Sequence, residues 1–583
     1  MWSSQSLLPS ADGGTLFATS GPDFGSLNPS SSYLRAAAIA QHHDLDIQDI
    51  LTSSPKFWPL HKDPILSIDP AAAILLTIQY NLCLGTLSRY VPSRSDLRPM
   101  AESLLKYETI GQFCLTEIGH GLDAFNLGTI ATSLPDGSFE LHSPTSQNAK
   151  YMPPTTPVLG RPCVAVVFAR LLAHGEDKGI RPFLVQINDG RRMCPGITAS
   201  LLPYRHGSAP VNHSVTYFHH VKLPKGALLG DTECVTNPHM DFLLAIWRVG
   251  VGTLALSSCM IPAIRIATSI AYRYSFRRHI GGRKGETVPI ISFRTQQLPV
   301  FFAIAQAYIL DTFHKHAVRY FMDNTMDPRV RHGIATTFKA GIMSHTYNTL
   351  YSLSERCGAQ GLFGYNKIVS LMSEVRGASI AEGDTLVLCI RLANELFLDR
   401  YAMPSPADSD SLLARHETSL LAEGRALAKQ YGHRSPEFAS LALTRCVPCV
   451  EAIAHRMAYE AAIAEGVARP LIDLYASQVI KGDFGWYAET GAMSRAQLAK
   501  MECDALDAIV PHASQLVEDM HVDSFVEVPI LSDASWERFV RSLPTFSYGT
   551  RIAVTTQTYP SEGADSATIY SASGARVPAM CKL

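Results

Sequence analysis

Positive charge is not in excess in this sequence: 50 Lys and Arg stand against 52 Asp and Glu, a formal net charge of −2 at pH 7. A chain so balanced lacks the electrostatic footprint of a protein whose main partner is nucleic acid or an anionic membrane surface. Charged residues of either sign are sparse, 17% against 46% hydrophobic, which points to much buried helix surface and to oligomerisation. Apolar runs of bilayer-spanning length are missing. The nearest, Val249 to Ile264, holds Thr253, Ser257 and Ser258 and ends beside Arg265, so it reads as a core helix. Met1-Trp2-Ser3-Ser4 has neither a basic start nor an apolar core, and no signal peptide is expected.

Twelve cysteines are present but scattered, without the spacing of a disulfide framework. The single CxxC, Cys446-Val447-Pro448-Cys449, lacks a second pair or a well-spaced histidine pair, although His455 is near. It reads as buried free thiols in a reducing, intracellular compartment. There is no Walker loop, no Rossmann fingerprint after a strand and no Gly-X-Ser-X-Gly elbow. His-Glu-X-X-His is also absent, and His219-His220 are strand neighbours that point to opposite faces. No metal site is expected. A phosphate-bearing cofactor would need loops and arginines to hold it.

What is present is a carboxylate in unusual company. Glu382 stands in Ile380-Ala381-Glu382-Gly383-Asp384, after the Gly-rich Arg356-Cys357-Gly358-Ala359-Gln360-Gly361 and before an apolar, helix-like stretch from Thr385 to Phe397. Burial there would raise its pKa and make it a general base. A second reading is an acid at a helix start that complements the dipole. From these residues alone the second reading is the commoner one.

The 583 residues exceed one compact domain. Residues 1–32, rich in Ser, Gly and Pro, read as disordered or loosely attached. Residues 33–110 are mostly helical in pattern, with a strongly apolar stretch from Ala71 to Leu87. At Gly111 the texture becomes short apolar runs between turns. Phe139 to His142 alternates, and Cys163 to Ala169 and Phe183 to Ile187 are buried-strand candidates. This predicts a β-barrel-like domain over 111–230. Helical spacing resumes over 231–410, in segments from Met240 to Ser275, Gln297 to Met322, His332 to Glu355 and Thr385 to Leu398. A further helical domain fills 411–583. The fold class is therefore α+β and multidomain: N-terminal helical domain, central β-barrel-like domain, helical bundle carrying Glu382, and extra C-terminal helical domain.

Several segments share the order and spacing of one family. Phe113-Cys114-Leu115-Thr116-Glu117-Ile118-Gly119-His120-Gly121 resembles the flavin-binding segment of the acyl-CoA oxidases, within the acyl-CoA dehydrogenase superfamily. Thr129 to Thr132, Leu141 to Thr145 and Val166 to Leu171 continue the resemblance. Tyr272-Arg273-Tyr274-Ser275-Phe276-Arg277-Arg278 resembles the family's arginine segment, and Arg294-Thr295-Gln296-Gln297-Leu298 its glutamine segment. Leu474-Tyr475-Ala476 and Gly485-Trp486-Tyr487-Ala488-Glu489 look like the helical domain that the oxidases have and the dehydrogenases lack. The resemblance covers roughly residues 75 to 550.

It implies FAD as cofactor, an acyl-CoA or other acyl thioester as substrate, O2 as electron acceptor and a homodimer. Glu382 would match the catalytic base, with Gly383 its motif partner. Thr116 would match a residue at the flavin ring. Arg277 and Gln297 would hold the pyrophosphate and adenine half from the neighbouring subunit, and Gly358 to Gly361 would form a glycine turn against the same cofactor. Cys581-Lys582-Leu583 resembles the Ser-Lys-Leu peroxisomal address.

The chain also departs from the pattern. Where the oxidases have Lys-Trp-Trp-Pro-Gly it has Lys150-Tyr151-Met152-Pro153-Pro154, so Pro154 offers no N–H to a flavin. Leu122 replaces a hydroxyl residue. A dehydrogenase using another electron acceptor, and a pseudo-enzyme partner of an active paralogue, therefore stand beside the oxidase reading.

Overall fold

The computed structural model describes residues 28–546, apart from 206, 209, 234–237 and 283–284. The expected disorder of residues 1–27 and the Cys581-Lys582-Leu583 tail lie outside the described residues. Residues 29–32, grouped by composition with that N-terminus, are instead the first turn of a helix, Pro29–His43. Asn28 caps it through its side chain and Pro29 supplies a preset φ at the first position. Ser32 is fully buried and donates its hydroxyl to Pro210 O at 2.9 Å.

Short helices follow, up to Arg98–Leu105. The apolar stretch from Ala71 to Leu87 is helical but not uniformly so: its middle, Thr77–Leu84, is a π-helix. The wider turn carries Gln79 and Asn81 into the interior on different errands. Gln79 donates to Leu104 O and Thr109 O and accepts from Gly111 N, tying this helix to the first strand.

Among the described residues nine strands then follow: β1 Ile110–Cys114, β2 Ile130–Ser133, β3 Phe139–His142, β4 Lys150–Tyr151, β5 Cys163–Ala173, β6 Glu176–Asn188, β7 Ile197–Leu201, β8 Ser214–Phe218 and β9 Val221–Leu223. One curled sheet runs β1-β5-β2-β3-β9, with β6 antiparallel to β5. A second sheet has the order β4-β8-β7. The two meet where Ser143 N donates to Phe218 O at 2.7 Å. The strand candidates at 163–169 and 183–187 are the buried first part of β5 and the alternately buried last part of β6.

Beyond the sheets the described residues are helical or loop except for a small hairpin, His279–Gly281 with Thr287–Pro289, which apolar spacing does not reveal. The segment expected as one helix from Met240 to Ser275 is three: Pro238–Ala245, Trp247–Ser258 and Met260–Arg277. Arg294–Met322 and Pro328–Arg356 pack against Met260–Arg277 and each other. Between Pro328–Arg356 and Thr385–Phe397 lies a helix with no strong sequence signal, Ile368–Ile380. The C-terminal helices Cys446–Ala464 and Arg469–Gly482 seal the far side of the two long helices.

Two stretches, Pro70–Ser88 and Trp247–Arg277, are long and apolar enough to cross a membrane, yet they are 89% and 83% buried within the fold. They are core elements here. Cys446 and Cys449 are buried free thiols, and the His455 ring packs on His345. Among the described residues no cluster of three or more His, Cys, Asp or Glu could hold a metal ion.

Candidate active site

Glu382 is not at a helix start. It sits in the turn between Ile368–Ile380 and Thr385–Phe397, where Asp384 takes the capping position and accepts from Leu386 N and Val387 N. That removes the helix-dipole reading. Glu382 has φ +54 and Gly383 φ +95. The left-handed region costs a non-glycine residue on the order of 1–2 kcal/mol, so surrounding contacts must fix this turn.

Those contacts hold three consecutive carbonyls. Lys339 Nζ donates to Ala381 O and to Gly383 O, each at 2.6 Å. Thr253 Oγ1 donates to Glu382 O at 2.8 Å. The turn aims the carboxylate inward, where Oε2 accepts from Asn81 Nδ2 at 3.1 Å. Asn81 Nδ2 also donates to Arg248 O at 3.0 Å, linking the π-helix to Trp247–Ser258. Gly252, on that helix, is the floor: a Cβ there would lie 0.9 Å from Glu382 Oε2. Only glycine leaves room for the carboxylate in this position.

Burial pushes the Glu382 carboxyl up to about 8, against the pull of Lys339, Arg248 and the Asn81 hydrogen bond. Arg248 is itself buried. It donates to Asn81 O, Ile50 O and Ser53 Oγ, and its Nη2 has no partner. The residue Glu382 nevertheless keeps part of its surface accessible. A carboxyl raised by burial and fixed in direction is a stronger base than a free glutamate once ionised.

A second group of predicted residues lies at the edge of the sheets. Thr116 follows β1, and its carbonyl accepts from Tyr151 N at 2.9 Å. Next to it, Glu117 forms a fully buried ion pair with Lys150 at 3.0 Å. Glu117 also accepts from Gly128 N, Thr129 N and the Thr129 hydroxyl, and Lys150 also donates to Leu115 O and Phe168 O. Burial would raise the Glu117 carboxyl, but Lys150 and these donors bring it down to about 2. Met152 has φ +62, and its carbonyl is bonded to His213 Nδ1 at 2.8 Å. The other ring nitrogen of His213 is buried without a partner. Pro154 is buried and its carbonyl receives the Tyr33 hydroxyl at 3.5 Å. Leu122 is 65% exposed.

The third group gathers where three long helices end. Buried Gln296 donates to Ser275 Oγ and Arg356 O, joining those ends. Its half-buried neighbour Gln297 accepts from Arg294. Arg277 donates to Ile530 O at 2.9 Å and pairs with Asp533 of the C-terminal segment. Gly361 is a packing glycine, since a Cβ would lie 1.9 Å from Ser354 O. Gly358, at φ +58, has nothing within 4 Å of its α-face. Among the described residues no hydrogen bond or ion pair joins Glu382 to Thr116, Pro154 or Arg277. Asn81, Gly252, Thr253, Lys339 and Arg248 were not anticipated from the sequence.

The chain is similar in sequence and in fold to known proteins. The acyl-CoA oxidase C-alpha1 domain family matches residues 253–397, which hold Thr253, Lys339 and Glu382. Human peroxisomal acyl-coenzyme A oxidase 3 is 25% identical over 394 residues, covering 63% of this chain and 55% of that protein. A putative peroxisomal acyl-coenzyme A oxidase 1.2 of Arabidopsis thaliana is 29% identical over 315 residues, covering 50% of this chain and 47% of its own. The chain thus spans about half the length of the curated relatives it matches. Acyl-CoA oxidase 1 of Yarrowia lipolytica superposes with a TM-score of 0.77 at 17% identity, over 89% of this chain and 88% of that one. Acyl-CoA oxidase 2 of Caenorhabditis elegans, whose structure was solved with FAD, ascaroside-CoA and ATP, gives 0.72 at 17%, over 90% and 87%. The turn of Glu382 lies inside the matched domain, and the chain shares the fold of the solved acyl-CoA oxidases.

Proposed function

We propose that the protein is an FAD-dependent acyl-CoA oxidase that introduces an α,β double bond into an acyl thioester. The observation that carries this reading is Glu382, a carboxyl raised to about 8 and locked in a left-handed turn over Gly252. A thioester carbonyl acidifies its α-carbon, and Glu382 accepts that proton. Asn81 holds the carboxylate by one oxygen, Oε2, and the fixed turn removes the entropy of orienting it.

The residues present fit FAD in its chemical needs. The open face of Gly358, the half-buried amide of Gln297, the guanidinium of Arg277 and the unpartnered buried nitrogen of His213 beside Met152 are donors or clearances of the kind a dinucleotide needs. Thr116, Arg277, Gln297, Gly358 and Gly361 would hold it, Pro154 contributing only its carbonyl and ring. When bound, FAD supplies the acceptor for the β-hydride and, with O2, the route to hydrogen peroxide. We also propose a homodimer, with Arg277 and Gln297 serving the partner's cofactor, and a peroxisomal location, in keeping with the tail and with relatives named peroxisomal.

Purified protein should be yellow, bleach with an acyl-CoA under nitrogen and release peroxide in air. Colourless protein that stays inert after FAD is added would overturn the reading. Pro154 and Met152 favour one second reading, a subunit with weakened flavin binding, which predicts low cofactor content with Glu382 still intact.

A further inference from the structure

We propose that Lys339 is a positioning residue for the base: its ammonium bridges the carbonyls on either side of Glu382 and fixes the left-handed turn that aims the carboxylate. This rests on the reading of Glu382 as the base.

Lys339 lies in the middle of Pro328–Arg356 and is 1% exposed. A lysine that deep is normally paired with a carboxylate. Here the two protons with assigned acceptors go to Ala381 O and Gly383 O, and among the described residues no ion pair involves Lys339. The carbonyls chosen flank Glu382, and the first of them belongs to Ala381, the C-cap of Ile368–Ile380. A leucine or methionine would fill the same space without burying a charge. The cation therefore does something packing does not. It holds a turn in which Glu382 is at φ +54 and Gly383 at φ +95, and Thr253 secures the carbonyl between.

The position has an electrostatic side as well. The groups facing the Glu382 carboxylate are Asn81 from the π-helix, Arg248 from Trp247–Ser258 and Lys339 from Pro328–Arg356, with Cys259 close by and Asp384 in its own turn. Lys339 and Arg248 are the two cations, and both favour the ionised base. Removing Lys339 leaves the carboxyl protonated over a wider pH range.

The test compares wild type, K339M, K339R and E382Q as full-length FAD-loaded protein. The Glu382 carboxyl band is followed by infrared difference spectroscopy against pH, E382Q identifying the band. Octanoyl-CoA and palmitoyl-CoA serve as turnover probes. In K339M the protonation midpoint should rise by about one pH unit, with about a tenfold fall in kcat at neutral pH, a smaller change in KM and partial recovery at alkaline pH. K339R keeps the charge but not the bridge. Its midpoint should stay near wild type, while backbone amides 382–384 exchange hydrogen faster. A folded K339M with unchanged midpoint and kcat overturns the proposal. If K339M does not fold, unchanged exchange and kcat in K339R overturn it instead. Turnover surviving in E382Q would refute the base assignment alone, because the infrared midpoint and amide exchange judge Lys339 separately.

Discussion

A carboxyl raised to about 8 by burial is a liability for the folded chain whenever it must ionise. The ordinary glutamate titrates near 4.5, so between that value and about 8 the unfolded chain releases a proton that the native state keeps. Native stability from this group is full below the lower value and is lost as pH rises through the upper one. Glu382→Gln mimics the protonated form. It should therefore abolish thioester-dependent flavin bleaching yet raise the unfolding free energy at pH 8 to 9 by up to a few kcal/mol, with no gain at pH 4. Thermal unfolding of both proteins across that range checks it, and an equal shift at every pH would contradict the assigned burial. Gly252→Ala separates function from stability in the same way. Alanine favours a helix over glycine by roughly 0.5–1 kcal/mol, but its methyl would occupy the place of Glu382 Oε2. We expect an unfolding midpoint near or above wild type and at least about a tenfold loss of kcat. A normal kcat would show that the carboxylate can work from elsewhere.

At the scale of elements, what holds the turn and the sheet edge together is buried charge. The Glu117–Lys150 pair joins the segment after β1 to β4, and so positions Thr116 against Tyr151. Lys150→Met strands a carboxylate with no accessible side-chain surface, and such broken pairs cost about 3–5 kcal/mol. The variant should unfold at markedly lower denaturant, which equilibrium unfolding would show, and less so in acid, where protonation of Glu117 relieves the unpaired charge. Elements of this kind were legible in part. The alternation of β3 and the apolar runs of β5 and β6 are visible because one period of two governs them. The helix Ile368–Ile380 was not, because Gly377 and scattered polar residues blur its face, and the breaks at Ile246 and Cys259 follow from packing that no local pattern encodes. Glu382 stood out by its glycine neighbour. Its companions did not, since Asn81 and Gly252 each look like an isolated blemish in an apolar helix and Lys339 like one more charge in a mixed one. Their common trait is that each is costly where it stands: an amide, a glycine and a cation inside helices that packing alone would fill with aliphatic residues. Contact between segments about 300 residues apart is what gives them meaning.

At the scale of the whole molecule, Arg277 lies at an end of the bundle that carries unusual exposed apolar surface: Phe276, Ile280, Phe293, Leu362 and Phe363 are all more than 40% exposed. A second copy covering this end would bury them and bring Arg277 to the partner's cofactor, the arrangement proposed above. That arrangement makes a prediction no single-site variant can make. Arg277→Glu alone and Glu382→Gln alone should each give inactive dimers. Unfolded together in equal amounts and refolded, half of the dimers would pair one variant with the other. In such a dimer the Arg277→Glu subunit has an intact base and receives a sound Arg277 from its partner, so one of its two sites is complete. The mixture should recover about a quarter of wild-type peroxide production. If instead each subunit's Arg277 serves its own site, every site in the mixture lacks either base or arginine and no activity returns. Size-exclusion chromatography of the mixture shows that dimers formed, so a silent assay would then reject sharing across the interface and leave the pairing of Arg277 with Asp533 as a contact within one chain.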